Sequence, residues 1–154
     1  MYKLSQLTPD GSIMLNGEKI ADTILYVNGD FVRKSEAVIS VYDSGFQHGD
    51  GVYEGIRAYD RRVYRLDEHI KRLYESCYTL GIEIGKTKDE MKQIVKKLVK
   101  KNIEAGFHDI HMRLQVTRGF KAQTGMHPTL NITQSSIVIC VDQKPPIFNK
   151  DGIT

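Results

Sequence analysis

The stretch GFQHGDGVYEGIRAYDRRVYRLDEHIKRL, residues 45–73, decides the fold. Val52 to Tyr59 reads as a β-strand. Its alternation puts Tyr53, Gly55, Arg57 and Tyr59 on one face and Val52, Glu54, Ile56 and Ala58 on the other. Arg62 to Leu66 is expected as its hairpin partner across Asp60-Arg61, with Asp67 capping the helix that follows. Ile70, Leu73, Tyr74, Cys77 and Leu80 form the apolar stripe of that helix, and Gly81 stops it. Two arginines expected to be buried, on successive elements beside a tyrosine hydroxyl, predict a pocket built for anions.

Outward from this centre, the N-terminal part reads as hairpins. Asn16-Gly17 and Asn28-Gly29 sit between short apolar runs and supply the positive φ angles that tight turns require. Ala37 to Tyr42 is expected as a further strand, followed by a glycine-rich loop from Asp43 to Gly51. Downstream, Thr87 and Glu90 form a capping box for a second helix that ends near Gly106. Ile110 to Thr117 alternates cleanly, with Ile110, Met112, Leu114 and Val116 opposed to His111, Arg113, Gln115 and Thr117. The apolar run Ile137 to Val141 predicts a central strand. Pro145-Pro146 interrupts the pattern, and Asp151-Gly152 predicts a turn. Together these elements imply an α+β fold, a mostly antiparallel sheet with two main helices packed on one side.

Composition narrows the function classes. With 154 residues, 40% hydrophobic and 27% charged, the chain has the composition of one globular domain. No apolar run approaches the roughly 20 residues of a membrane span, so no membrane partner is expected. The N-terminus lacks the apolar core of an export signal, which predicts a cytoplasmic protein. Cys77 and Cys140 are expected as free thiols in that reducing setting. The net charge of +3 gathers on the second helix. Lys92, Lys96, Lys97, Lys100 and Lys101 interleave there with apolar residues, a solvated basic face lacking the arginines and aromatics of a nucleic-acid footprint. Glycines 49, 51 and 55 precede a strand, not a helix, and do not fit a dinucleotide fingerprint. His108 and His111 point to opposite strand faces, which argues against a metal site.

Three motifs carry a family resemblance: Gly49-Asp50-Gly51-Val52-Tyr53-Glu54-Gly55-Ile56-Arg57, Glu68-His69-Ile70-Lys71-Arg72-Leu73, and Met112 through Gly119. In this order and spacing they resemble the small N-terminal domain of the class IV, fold-type IV pyridoxal-phosphate aminotransferases, which include branched-chain and D-amino-acid enzymes. The resemblance implies amino-group transfer between an amino acid and a 2-oxo acid, pyridoxal 5'-phosphate as cofactor, and a homodimer. Arg72 matches the arginine that grips the cofactor phosphate, a role suited to a permanently charged fork of donors. Tyr53, Arg57 and Arg113 match substrate-side positions, and His111 stands where a tyrosine is usual.

The bland alternatives are an ion pair of Arg72 with Glu68 and a cross-strand packing pair of Tyr53 with Arg57. The resemblance divides the chain into an N-terminal extension with a hairpin (1–23), a small domain (24–147) and a linker (148–154) into a large domain. It puts the Schiff-base lysine in that large domain, downstream of Thr154, so no catalytic residue is expected within the chain. The 154 residues alone are then expected to be inactive. Phe120 to His127 lacks the arginine that traps the substrate carboxylate in the D-amino-acid enzymes, which favours the branched-chain type. D-amino-acid transfer, another class IV aminotransferase or lyase activity, and a non-catalytic domain binding a phosphate ligand or a partner remain the alternatives.

Overall fold

The computed structural model describes residues 14–15, 18–59 and 61–144. A small hairpin of β1 (Met14–Leu15) and β2 (Glu18–Lys19) precedes the main sheet. Its Asn16-Gly17 connection lies outside the described residues, as do Asp60, Pro145-Pro146, Asp151-Gly152 and the expected linker (148–154). The main sheet comprises β3 (Ile24–Val27), β4 (Asp30–Arg33), β5 (Gly51–Tyr59), β6 (Arg62–Val63), β7 (Ile110–Thr117) and β8 (Ser136–Gln143). Their spatial order is β4-β3-β8-β7-β5-β6, and every pairing is antiparallel.

Local chemistry accounts for several of these elements. Asn28 and Gly29 turn β3 into β4 with φ of 50° and 117°, as a tight hairpin requires. The Asn28 side chain then accepts from the Ile137 amide, tying the turn to β8. The long α3 (Lys88–Glu104) opens on the expected capping box between Thr87 and Glu90. α2 (Leu66–Thr79) ends before Gly81, whose φ of 62° places it in the left-handed region.

Both helices pack on one face of the sheet. Ile70, Leu73 and Cys77 from α2 and Met91, Val95 and Leu98 from α3 are buried against Ile56, Met112, Leu114 and Ile139. Asn102, fully buried on α3, accepts from the Ile24 amide at 2.8 Å and donates to the Ile24 carbonyl at 2.8 Å. That reciprocal pair fixes the helix to β3.

Four expectations are corrected. Ala37 to Tyr42 is not a strand. A 3-10 turn at Lys34–Glu36, held by Asp22 accepting from the Ser35 amide and hydroxyl, carries the chain off the sheet edge, and Val38 and Val41 are exposed. The glycine-rich loop contains a short helix, α1 (Ser44–His48), capped by Asp43 and closed by Gly49 at φ 66°. The strand after Asp60-Arg61 stops at Val63. Asp67 does not cap α2: Leu66 is already helical, the cap position is Arg65 at φ 45°, and Asp67 sits in the first turn paired with Lys92 at 2.7 Å.

Candidate active site

Strand register builds the first half of the site. Across β5 and β7, Arg57 lies opposite His111, Gly55 opposite Arg113, and Tyr53 opposite Gln115. Alternation therefore brings Tyr53, Arg57, His111 and Arg113 onto one sheet face, away from the helices. Gly55, opposite Arg113, presents no side chain there. The Arg113 guanidinium lies over the Tyr53 ring at 4.0 Å and donates from Nε to Gln115 at 2.6 Å. A guanidinium stacked on an aromatic face keeps its charge while losing mobility. Arg57 donates from Nη1 to the Lys144 carbonyl at 2.8 Å. A cleft of about 440 Å³ opens beside this face, lined in part by Phe46, Tyr53, Arg113 and Thr117.

His111 is half-buried between charged neighbours. Burial is the main cause lowering its pKa below the usual 6.5, and Lys144 and Arg57 lower it further against the opposing pull of Asp142. The imidazole is therefore neutral at pH 7 and can serve as a hydrogen-bonding group without adding charge.

Arg72 stands in the other layer. Its partner is Glu54, which the strand pleat points toward the helices, not Glu68. Arg72 donates from Nε and Nη2 to the two Glu54 carboxylate oxygens, both at 2.6 Å. His69, one turn earlier, donates from Nδ1 to Glu54 at 2.8 Å. The Glu54 side chain is 6% exposed, that of Arg72 62%. Burial works to raise the Glu54 pKa, but the bonds from Arg72 and His69 outweigh it and hold the carboxyl below its ordinary 4.5. The structure thus corrects the expectation of buried arginines: Arg72 and Arg113 are exposed, Arg57 is half-buried, and the buried member of the Arg72 pair is Glu54. It groups Tyr53, Arg57, His111 and Arg113, and holds Arg72 separately through β5.

Sequence reasoning left Glu54 without a charged partner, although the pattern contained a signal. An acidic residue on the core face of a strand requires a cation, and His69 and Arg72, at i and i+3, share one face of the adjacent helix. Arg118 was also missed. It bonds both Asp50 carboxylate oxygens, at 2.7 and 3.1 Å, and the Gly81 and Leu80 carbonyls, both at 2.9 Å. It thereby ties the end of α2 to the loop that opens β5.

Two free thiols complete the inventory. Cys77 is buried and Cys140 half-buried, and burial pushes the Cys77 pKa up to about 11. Neither is a nucleophile at neutral pH in these surroundings. Among the described residues no group of three or more histidine, cysteine or acidic side chains could hold a metal ion. No described helix is long and apolar enough to cross a membrane.

Comparison with known proteins places this geometry. Residues 51–152 match the family model for amino-transferase class IV. A protein of Methanocaldococcus jannaschii named "Putative branched-chain-amino-acid aminotransferase" is 42% identical over 84% of this chain and 43% of its own length. The D-alanine aminotransferase of Bacillus licheniformis is 38% identical over 82% of this chain and 44% of its own length. The branched-chain aminotransferase of the thermophilic archaeon Thermoproteus uzoniensis, solved with norvaline, superposes with a TM-score of 0.68 at 25% identity, covering 84% of this chain and 43% of that one. The chain thus spans less than half the length of these proteins. It belongs to the class IV aminotransferase family.

Proposed function

We propose that this chain is the small domain of an aminotransferase that moves an amino group between a branched-chain amino acid and a 2-oxo acid with pyridoxal 5'-phosphate. The observation that carries the reading is the division of labour along β5. Successive residues of one strand present Tyr53 to a cationic face and Glu54 to the Arg72 guanidinium. The donor set fits a phosphate ester. Nε and Nη2 of Arg72 are fixed by Glu54, Nη1 has no bond among the described residues, and the side chain is mostly exposed.

When bound, pyridoxal phosphate supplies an electron sink for the negative charge that develops at the substrate α-carbon. Arg72 holds the phosphate, and Glu54 fixes the direction in which Arg72 points. Arg113, steadied by Tyr53 and Gln115, and Arg57 set positive charge against the substrate carboxylate. Neutral His111 offers a hydrogen bond beside them. The catalytic lysine is assigned to a large domain downstream of Thr154.

The branched-chain assignment rests on the arginine-free loop from Phe120 to His127 together with the M. jannaschii relative. D-amino-acid transfer is the second reading, favoured by the B. licheniformis relative. A homodimer in a reducing cytoplasm belongs to the same proposal. It is supported by the loop containing Gly125, Met126 and His127, which resembles one that reaches toward the neighbouring subunit's active site in the family dimer and in which Met126 is strongly exposed, and by the two free thiols.

The test is a panel of L- and D-amino acid donors against 2-oxoglutarate with the full-length protein. Preference for L-leucine, L-isoleucine and L-valine supports the first reading, and preference for D-alanine replaces it with the second. No transfer from any donor, with no cofactor absorbance, overturns both.

A further inference from the structure

Another groove stands apart from the candidate site. It has a volume of about 760 Å³ and lies on the helix side of the sheet, between the β5–β6 turn, the start of α2 and the C-terminal half of α3. Such a volume suits a small organic ligand. Its floor is apolar, formed by Leu66 and Val99, both buried, with Val63 and Ile103 half-buried beside them.

The rim is cationic and assembled from two distant parts of the chain. Arg61, Arg62 and Arg65 come from the connection between β5 and α2. Lys92, Lys96 and Lys100, spaced at i, i+4 and i+8, come from one stripe of α3. The six lysines of this helix therefore do not act alike: Lys88 lies over the Tyr74 ring at 5.7 Å. Lys97 and Lys101 turn aside to lie over the Phe31 ring at 5.1 and 5.4 Å, while the other three face the groove with the arginines.

Some of this charge is already balanced, for three carboxylates, Asp67, Glu68 and Glu104, line the same groove as the six cations. Lys92 pairs with Asp67 at 2.7 Å and Asp89 at 3.1 Å, and Lys100 with Glu104 at 3.8 Å. Arg65 lies over the Tyr64 ring at 5.5 Å, which leaves its charge uncompensated. Arg61, Arg62, Arg65 and Lys96 have no carboxylate within ion-pair distance among the described residues. Two of them, Arg61 at φ 68° and Arg65 at φ 45°, adopt the left-handed backbone region that long side chains seldom occupy. Like charges gathered over a low-dielectric floor repel one another, and a multiply charged anion relieves that repulsion.

We infer that this groove binds a soluble organic polyphosphate of the nucleoside di- or triphosphate class. The phosphates meet the guanidinium and ammonium groups that lack a carboxylate, and the flat apolar body rests on Leu66 and Val99. Arginine forks match phosphate oxygens in pairs, and more than one such arginine calls for more than one phosphate.

Calorimetric titration of the full-length protein with ATP at 0.15 M salt, where diffuse surface attraction is largely screened, tests this. The expected result is saturable binding at one site per chain. The Arg62→Glu/Lys96→Glu variant should bind at least about tenfold more weakly, and an Arg113→Glu control on the opposite sheet face should bind normally. Circular dichroism verifies that both variants are folded. Pyrophosphate should bind at least about tenfold more weakly than ATP, because it lacks the body that covers the apolar floor. Absence of saturable ATP binding, or equal affinity in wild type and the groove variant, overturns the proposal. Pyrophosphate matching ATP overturns the assigned role of the floor. Loss of binding in Arg113→Glu alone would move the anion to the sheet face and overturn the groove. None of these readouts depends on transaminase activity, so the two proposals fail separately.

Discussion

Replacing Glu54 with Gln removes the one charge that holds Arg72 while leaving the shape of the side chain nearly unchanged. In the native protein the carboxylate accepts two guanidinium bonds at 2.6 Å and one imidazole bond at 2.8 Å, with its side chain 6% exposed. A bare ion pair with its charge centres about 4 Å apart would amount to about 4 kcal/mol at an effective dielectric of 20. That figure must be discounted, because the Arg72 end of the pair is 62% exposed and water screens it. Gln also keeps one acceptor oxygen. A loss of about 1–2 kcal/mol follows, a Tm lower by roughly 3–6 °C for a chain of this size.

The pH dependence identifies the cause. The folded pKa of Glu54 is depressed below its ordinary 4.5, so its contribution is complete above the unfolded value and disappears as pH falls through the lower folded one. Urea denaturation of wild type and Glu54→Gln between pH 3 and pH 8 should show a gap that is constant at neutral pH and closes in acid. A gap that is absent at pH 7, or that widens on acidification, would refute the argument. Arg72→Ala should destabilise more than Glu54→Gln, because it strands a buried carboxylate where the glutamine variant strands only an exposed cation.

Further expectations follow from the same geometry. Arg72→Ala in the full-length protein should weaken pyridoxal phosphate retention by about tenfold or more, read from cofactor absorbance during dialysis, because a charge-assisted phosphate contact is lost; unchanged retention removes Arg72 from the site. Arg57→Ala should raise substrate KM by about tenfold with cofactor binding unaltered, and steady-state kinetics with absorbance checks both halves. Asn102→Ala should cost about 2–4 kcal/mol in denaturant unfolding, since it removes both bonds to Ile24 and leaves buried polar groups unpaired.

How much was legible depended on the range of the interaction. The alternation of Ile110 to Thr117 located β7 to the residue and sorted its two faces correctly, because side-chain direction in a strand repeats every two residues. Thr87 with Glu90, and Asn28 with Gly29, announced a helix start and a hairpin because capping and turn formation involve only adjacent backbone. Ala37 to Tyr42 misled for the complementary reason. A β-branched run is a strand only when a neighbouring edge accepts its backbone bonds, and the turn at Lys34–Glu36 removes the segment from that edge.

The site divides along the same line. By itself the amino-acid order determined that Tyr53, Arg57, His111 and Arg113 could share a sheet face and that Glu54 must oppose it, since both follow from the pleat. Only the tertiary structure decided that Glu54 binds His69 and Arg72, and that Arg61, Arg62 and Arg65 join Lys92, Lys96 and Lys100 around one groove. Periodicity fixes the direction of a side chain from its immediate neighbours. The charge it meets depends on which layer packs above it, and that is settled only when α2 and α3 close over the sheet.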